Sequence, residues 1–156
     1  MSSRHVDLIF LEVDMASSGK GSCQACDVAK RQLGKALSAV EPMLREVGVE
    51  LRVNEMLVST EDQAKRLRFR GSPTLRIGHV EVAPAHVPDK EDRIWKWRDR
   101  AYATPPVGLL VEAILRGSAG PDTDMPPATE QYDVPAYLAS YLQKESSQSD
   151  SCTSCG

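Results

Sequence analysis

The sequence predicts an α/β protein in which helices cover a mixed sheet. Three observations point to this class: a mostly apolar run opens the chain, helix-like and strand-like apolar spacings then alternate, and a two-strand hairpin follows. The length of 156 residues suits one compact domain with a tail. The composition, with 41% hydrophobic and 26% charged residues, is ordinary for a soluble globular protein.

The chain opens with a predicted strand and a predicted long helix. Residues 6–13, VDLIFLEV, have the near-continuous apolar character of a strand buried on both faces. In residues 26–47 the apolar side chains, from Ala29 to Val47, recur every three or four positions, which predicts a helix. Pro42 should kink or divide this helix, and Gly48 should end it.

A second strand and a short second helix are predicted next. Residues 49–53, VELRV, alternate between apolar and polar side chains, as in a strand with one exposed face. Residues 59–67 are expected to form a helix because Ser59 or Thr60 can cap it and acidic residues occupy its first turn.

A hairpin is predicted in the middle of the chain. Residues 74–77 and 80–82 have strand composition and flank a turn at Gly78, with Pro73 at the entry to the first strand. Residues 83–92 have the composition of a loop.

One more strand and one more helix complete the predicted domain. Residues 93–102, RIWKWRDRAY, predict a strand and a turn, with Trp95 and Trp97 packing on the core from one face. The helix that follows is expected to be capped by Thr104 and to end at Gly117.

The composition changes after Gly117, and we therefore divide the chain into a domain of residues 1–117 and an extension of residues 118–156. The extension is expected to contain a linker, a short amphipathic helix and a flexible tail that carries cysteines. The apolar side of that helix would consist of Val134, Tyr137, Leu138, Tyr141 and Leu142.

The strongest chemical signal is the pair Cys23 and Cys26, which lies between the first strand and the long helix. Two intervening residues bring both sulfurs into one turn, where they can form a disulfide. The positive end of the helix dipole favours a thiolate there, and the thiolate is the form that attacks disulfides. The sequence therefore predicts a redox-active pair, with Cys23 nearer to solvent and Cys26 more buried.

Gly71-Ser72-Pro73-Thr74 adds a second element to this site. A strand, a Cys-x-x-Cys at a helix start and a later Ser-Pro-Thr together resemble the thioredoxin-like superfamily. The resemblance implies that Pro73 is cis and that Ser72, Pro73 and Thr74 line a substrate groove. Thioredoxins also place a buried acid beneath the second cysteine, a position that Glu12 or Asp14 can fill here, although an exposed carboxylate at the end of the first strand is the preferred interpretation of both. GSPTLRI, the Trp-rich strand, YATPP and the last helix are also similar to a small microbial thioredoxin-like family catalogued as a domain of unknown function.

The preferred function is that of a thiol-disulfide oxidoreductase that needs no cofactor. Cys23 would attack a protein or small-molecule disulfide, and Cys26 would resolve the mixed disulfide. Cys152 and Cys155 repeat the same spacing in the tail and are expected to be a secondary redox pair or metal ligands.

The alternative function is the binding of a soft metal or metalloid (zinc, mercury or arsenic) by both cysteine pairs, because thiolates select such ions. The 125 residues between Cys26 and Cys152 are far more than the ~15–20 of a zinc ribbon. A third reading is an adaptor that keeps the fold without turnover, which the unusual Gln24-Ala25 dipeptide leaves open.

Charge and hydropathy argue against several other classes. The net charge of −3 gives no reason to expect nucleic-acid binding, and no stretch has the length and apolarity of a membrane span. The apolar run at the N-terminus is too short and too acidic for a signal peptide, so a cytoplasmic location is expected.

Overall fold

The computed structural model describes residues 3–16, 24–86, 93–120 and 133–142. The elements in chain order are β1 (Arg4–Val13), α1 (Gln24–Glu46), β2 (Val49–Val58), α2 (Glu61–Leu67), β3 (Thr74–Ile77), β4 (Val80–Val82), β5 (Ala85–His86), β6 (Arg93–Trp97), β7 (Arg100–Tyr102), α3 (Val107–Ala119) and α4 (Ala136–Ala139). The predicted α/β class is confirmed.

The main sheet has the strand order β2-β1-β3-β4. β1 and β2 are parallel, whereas β3 runs antiparallel to β1 and pairs with β4 in a hairpin. A separate antiparallel sheet has the order β5-β6-β7. A parallel pair extended by an antiparallel hairpin, with helices against it, is consistent with a thioredoxin-like arrangement.

β1 separates two hydrophobic cores, since alternate side chains of a strand point to opposite faces. The first core contains Val6, Leu8, Phe10, Cys26, Ala29, Leu33, Ala36, Val40, Leu44, Val49, Leu75, Ile77, Leu110, Ala113 and Ile114. The second core contains Leu11, Val13, Val58, Ala64, Phe69, Leu138 and Leu142. The prediction that the first strand is buried on both faces is therefore confirmed.

α1 is one continuous helix of 23 residues, so the prediction that Pro42 divides it is wrong. Pro42 lies on the exposed face, where water can bond to the carbonyl group that loses its helical partner. Val47 lies beyond the helix end and is 72% exposed, although its spacing had placed it in the apolar stripe. Gly48 follows the helix with a φ of 73°, as a C-terminal stop requires.

β2 is twice as long as the predicted residues 49–53. It pairs with the full length of β1, from Arg4 opposite Val49 to Val13 opposite Val58. Most of its side chains are exposed, so the ladder to β1 extends the strand beyond the apolar alternation. α2 begins as predicted, since the Thr60 side chain accepts a hydrogen bond from the Gln63 N–H.

α3 differs from its prediction at both ends. Thr104 does not cap the helix, which starts after Pro106 without a side-chain cap. Gly117 lies inside the helix and does not end it. A Cβ at Gly117 would lie 2.3 Å from the carbonyl oxygen of Ile77, so this glycine allows α3 to approach β3 closely.

The first hairpin follows the sequence prediction closely, whereas residues 93–102, predicted as one strand and a turn, form a second hairpin of β6 and β7. β3 and β4 have the predicted bounds, and Gly78 between them has a φ of 55°. β6 buries Trp95, and the Trp97 Nε1–H donates to the carboxylate of Glu112 at 2.6 Å, so both aromatics pack on the body of the protein. In the described part of the segment predicted as a loop, residues 83–86, the two-residue β5 is the only strand.

The predicted helix of the C-terminal extension is present as α4, although it has only four residues. All five apolar residues predicted for one side belong to the second core or pack against it. This part of the extension therefore packs on the sheet. The tail with Cys152 and Cys155 lies outside the described residues. None of the described helices has the length and apolarity needed to cross a membrane.

Candidate functional site

Cys26 is the described half of the predicted cysteine pair. It lies in the first turn of α1, which starts at Gln24, and its side chain is fully buried in the first core. Its position follows from the sequence, because β1 brings the chain to one edge of the sheet and the apolar spacing of α1 turns Cys26 inward. Cys23 immediately precedes the described start of α1 and lies outside the described residues.

Ser72 contacts Cys26 directly. Its Oγ lies 3.5 Å from the Cys26 Sγ and accepts a hydrogen bond from the Val13 N–H at 3.0 Å. Because the backbone N–H uses a lone pair of the oxygen, the hydroxyl proton can point towards the sulfur. Ser72 is fully buried, so this contact excludes water from one side of the thiol.

The loop that carries Ser72 has the conformation implied by the resemblance. The Ser72–Pro73 peptide bond is cis, and both Pro73 and Thr74 are fully buried. The Thr74 hydroxyl donates to the carbonyl oxygen of Gly71 at 2.5 Å, which closes the loop before β3 begins. The structure thus brings Ser72 and Cys26 together from positions 46 residues apart.

The backbone groups of Ser72 are both paired within the chain. Its N–H donates to the Tyr137 hydroxyl at 3.3 Å, and its carbonyl oxygen accepts from the Nε of Arg93. Neither Tyr137 nor Arg93 was predicted to lie at the site. The only available signal was general: a tyrosine on the packed side of a helix needs a polar partner for its hydroxyl.

A charged cluster lies further along α1. The Lys30 ammonium is 3.0 Å from Glu12 on β1 and 3.5 Å from Glu55 on β2. Burial by itself lowers the pKa of Lys30, but the hydrogen bonds and negative charges of Glu12 and Glu55 outweigh it and raise that pKa above 10.5. Glu12 is thus held in an ion pair, and its side chain is only 15% exposed.

Asp14, the other candidate acid, has polar partners of its own at the end of β1. It accepts hydrogen bonds from the Ser59 hydroxyl and from the Ala16 N–H, each at 3.0 Å. These bonds tie the segment after β1 to the entry of α2.

The predicted metal ligands cannot be assembled from the described residues. In the described ranges, no group of three or more histidine, cysteine or acidic side chains has the geometry of a metal site. Cys23, Cys152 and Cys155 lie outside those ranges, so metal binding by both pairs stays a prediction.

Fold and site together define a mixed α/β protein in which a buried helix-start cysteine contacts the serine of a cis-proline loop. The sequence model of one family, described as Domain of unknown function (DUF2703), matches residues 11–114, two thirds of the chain. The chain belongs to this family, and the matched range includes both the Cys23–Cys26 pair and Ser72-Pro73-Thr74. No curated protein and no solved structure has a significant match to the chain.

Proposed function

We propose that this chain is a thiol-disulfide oxidoreductase of the thioredoxin-like superfamily, with Cys23 as nucleophile and Cys26 as resolving thiol. One observation carries the proposal: Cys26 is buried in the first turn of α1 with the Ser72 hydroxyl 3.5 Å from its sulfur, in a loop with a cis proline. An inert pair of small core residues would not need a polar hydroxyl against a buried sulfur.

The reaction begins with the Cys23 thiolate, which the N-terminus of α1 favours electrostatically. Cys23 attacks one sulfur of a substrate disulfide, and the other substrate sulfur leaves as a thiolate and takes up a proton. The Cys26 thiolate then attacks the Cys23 sulfur and releases the second substrate thiol. Two electrons pass to the substrate, and Cys23 and Cys26 end as a disulfide.

Ser72 assists the second step by donating a hydrogen bond from its hydroxyl to the Cys26 sulfur while keeping its proton. A hydrogen bond to the thiolate stabilises the form that attacks. Because Cys26 is fully buried, an external disulfide does not reach it, and the sulfur of the adjacent Cys23 is its natural target. Burial therefore separates the roles of nucleophile and resolving thiol.

Protein and small-molecule disulfides are the proposed substrates, and a cytoplasmic location fits a pair that works as a dithiol. The test is the reduction of insulin disulfides with dithiothreitol as electron donor. Cys23→Ser should abolish catalysis, whereas Cys26→Ser should accumulate a mixed disulfide at Cys23 that peptide mass spectrometry detects. Circular dichroism should show that both variants remain folded. A folded Cys23→Ser protein with the wild-type rate would refute the proposal.

A further inference from the structure

β2 forms one edge of the main sheet. Among the described strands it pairs with β1 alone, although it is ten residues long. An edge strand presents N–H and C=O groups to which a further strand can add, and proteins commonly keep such edges short or covered for this reason. The long edge of β2 is therefore a candidate interaction surface.

The hydrogen bonds to β1 show which backbone groups of β2 point outward. The segment of β1 donates to the carbonyl oxygens of Gly48 and Val58, so the even-numbered residues of β2 bond to β1 and the odd-numbered residues direct their N–H and C=O groups away from it. At the far end of the strand, the Gln63 side chain donates to the Leu57 carbonyl oxygen at 3.1 Å. Within the described ranges, the open part of the edge is thus residues 49–55.

This open stretch carries apolar surface on the side of the first core. Val49, Leu51 and Val53 alternate along that face of β2, and Val53 is 44% exposed. A groove of about 420 Å³ lies beside them, between the end of α1 and the start of β2. Its lining includes Glu41, Leu44, Arg45, Val49, Glu50 and Leu51. An apolar side chain from an added strand can therefore contact this groove.

The other face of the same stretch carries opposite charges two residues apart, Glu50 and Arg52. On β1, His5 lies opposite Glu50 and Asp7 lies opposite Arg52, and the His5 Nδ1 is 3.2 Å from the Glu50 carboxylate. Because a second copy in antiparallel orientation presents the same residues in reverse order, Glu50 of each copy can lie opposite Arg52 of the other. The edge is thus complementary in charge to itself.

The charges also select the register of such a pairing. A two-fold axis at Leu51 places Glu50 opposite Arg52 twice. An axis one residue further along the strand places the two copies of Arg52 opposite each other, and an axis at Val53 places Arg52 opposite Asn54. Opposite charges on facing strands stabilise a sheet and like charges destabilise it, so the axis at Leu51 is favoured.

We propose that two copies of the chain form a symmetric dimer by antiparallel pairing of their β2 strands, with the two-fold axis at Leu51. The outward backbone groups of Leu51 bond to those of Leu51 in the second copy, and the groups of Val49 bond to those of Val53. The two four-stranded sheets become one sheet of eight strands, and Val53 of each copy lies beside the groove of the other. A two-fold contact of this kind closes on itself, so it gives dimers rather than fibres.

The dimer leaves the candidate site away from the interface. Leu44, which lines the groove, follows Cys26 by 18 residues on α1, about 27 Å along the helix. The two copies of Cys26 therefore lie towards opposite ends of the dimer. The inference adds a partner surface and does not depend on the reaction of the cysteines.

Analytical ultracentrifugation of the full chain tests the dimer, with a thiol reductant present to exclude disulfide-linked species. We expect a monomer–dimer equilibrium that depends on concentration. Glu50→Lys and Arg52→Glu each turn two attractive pairs into two repulsive pairs, and each should raise the dimer dissociation constant roughly 10- to 30-fold. Asp62→Lys, at an exposed position of α2, changes the net charge as Glu50→Lys does and should leave the dissociation constant unchanged.

A mixture of the two charge variants tests the register. When Glu50→Lys and Arg52→Glu are combined in equal amounts, opposite charges face each other at both positions of the mixed dimer. The mixed dimer should therefore form with about the wild-type dissociation constant, although each variant alone dimerises weakly. Circular dichroism should show that both variants remain folded. Mixing that gives no recovery would overturn the register.

Hydrogen exchange identifies what occupies the edge. The Leu51 N–H should gain protection as the concentration rises through the dissociation constant, whereas the Arg52 N–H, which bonds to β1, should be protected at every concentration. A chain that stays monomeric at millimolar concentration would overturn the proposal, and protection of Leu51 in that monomer would assign the edge to another segment of the same chain. A dimer that neither charge variant weakens would place the interface elsewhere and would overturn the proposal as well.

Discussion

The two faces of the main sheet are built in different ways. The first core lies beneath two long helices, α1 with 23 residues and α3 with 13. The second core is covered by α2 with seven residues and α4 with four. Both cores take side chains from β1, so one strand supports a thick layer on one side and a thin layer on the other.

This difference bears on the site, because Ser72 joins the two layers. Its side chain contacts Cys26 of the first core, and its backbone N–H contacts Tyr137, which packs on the second core. Long helices hold the buried thiol in place, whereas the four-residue α4 packs beside the neighbouring loop. We therefore expect the layer of short helices to open at a lower free energy than the layer that holds the thiol, so that access to the Ser72 loop depends on α4.

The largest loss of stability is expected at Gly117, where α3 approaches β3 closely. Gly117→Ala would place a Cβ 2.3 Å from a backbone oxygen of β3 that cannot move cheaply, and should lower the free energy of unfolding by about 3 kcal/mol. The matched control is Gly34→Ala in α1, where a Cβ would have no neighbour within 4 Å apart from the backbone of its own helix. The higher helix propensity of alanine should raise the free energy of unfolding by ~0.5–1 kcal/mol there. Urea unfolding measures both, and effects of the same sign would contradict the close approach.

The second layer is tested by Leu138→Ala. Removing this fully buried side chain should lower the free energy of unfolding by about 2–3 kcal/mol. The structural destabilisation should be concentrated in α4. In hydrogen exchange, the amides of α4 should lose protection while those of α1 keep theirs. Leu115→Ala, at a position 39% exposed on α3, should cost under ~1 kcal/mol. Equal loss of protection in α1 would mean that the two layers open as one unit.

The contact of Ser72 with both layers is tested by Ser72→Ala. The variant leaves the Val13 N–H without its acceptor in a buried position, which should cost about 1–3 kcal/mol. Ser38→Ala removes an exposed hydroxyl that only bonds back to Gly34 of the same helix, and should be close to neutral. Thermal unfolding compares the two, and a neutral Ser72→Ala would show that water replaces the hydroxyl.

The smallest loss of stability is expected from the substitution of Lys30, and the size of this loss depends on pH. A raised pKa means that the folded state binds the proton more tightly than the unfolded state, so the stabilisation is present below pH 10.5 and disappears as pH rises through the folded-state pKa. Because Lys30 is partly exposed, Lys30→Met should cost under ~1 kcal/mol at pH 7. Lys35→Met, at an exposed position of the same helix, is the control. A difference between the two variants that persists well above pH 11 would assign the effect to packing.

Much of the first layer is predictable from the sequence, because its elements are periodic. β1, the apolar stripe of α1 and the β3–β4 hairpin follow from apolar spacing and turn residues alone. The errors arose where partners decide the structure: the ladder to β1 lengthens β2, and a close approach to Ile77 gives Gly117 its role. A glycine that ends a helix and one that lets a helix touch a strand look alike in sequence.

The candidate site also contains one contact that could be predicted from the sequence and others that could not. The pairing of Cys26 with the Ser72 loop was expected from a resemblance, and the contact between them is present. The contacts of Tyr137 and Arg93 with the backbone of Ser72 arise from distant parts of the chain. No local pattern encodes them, since hydroxyl and guanidinium groups find partners through tertiary packing.

The complete burial of Cys26 also makes it a reporter of native-state opening. An alkylating reagent modifies this sulfur only in molecules whose first core has opened, so its labelling rate, divided by that of a free thiol, measures the open population when closing is fast. A chain in which Cys23, Cys152 and Cys155 are replaced by serine would isolate the signal of this one atom. Labelling across a urea series would then distinguish a local fluctuation near α1 from global unfolding.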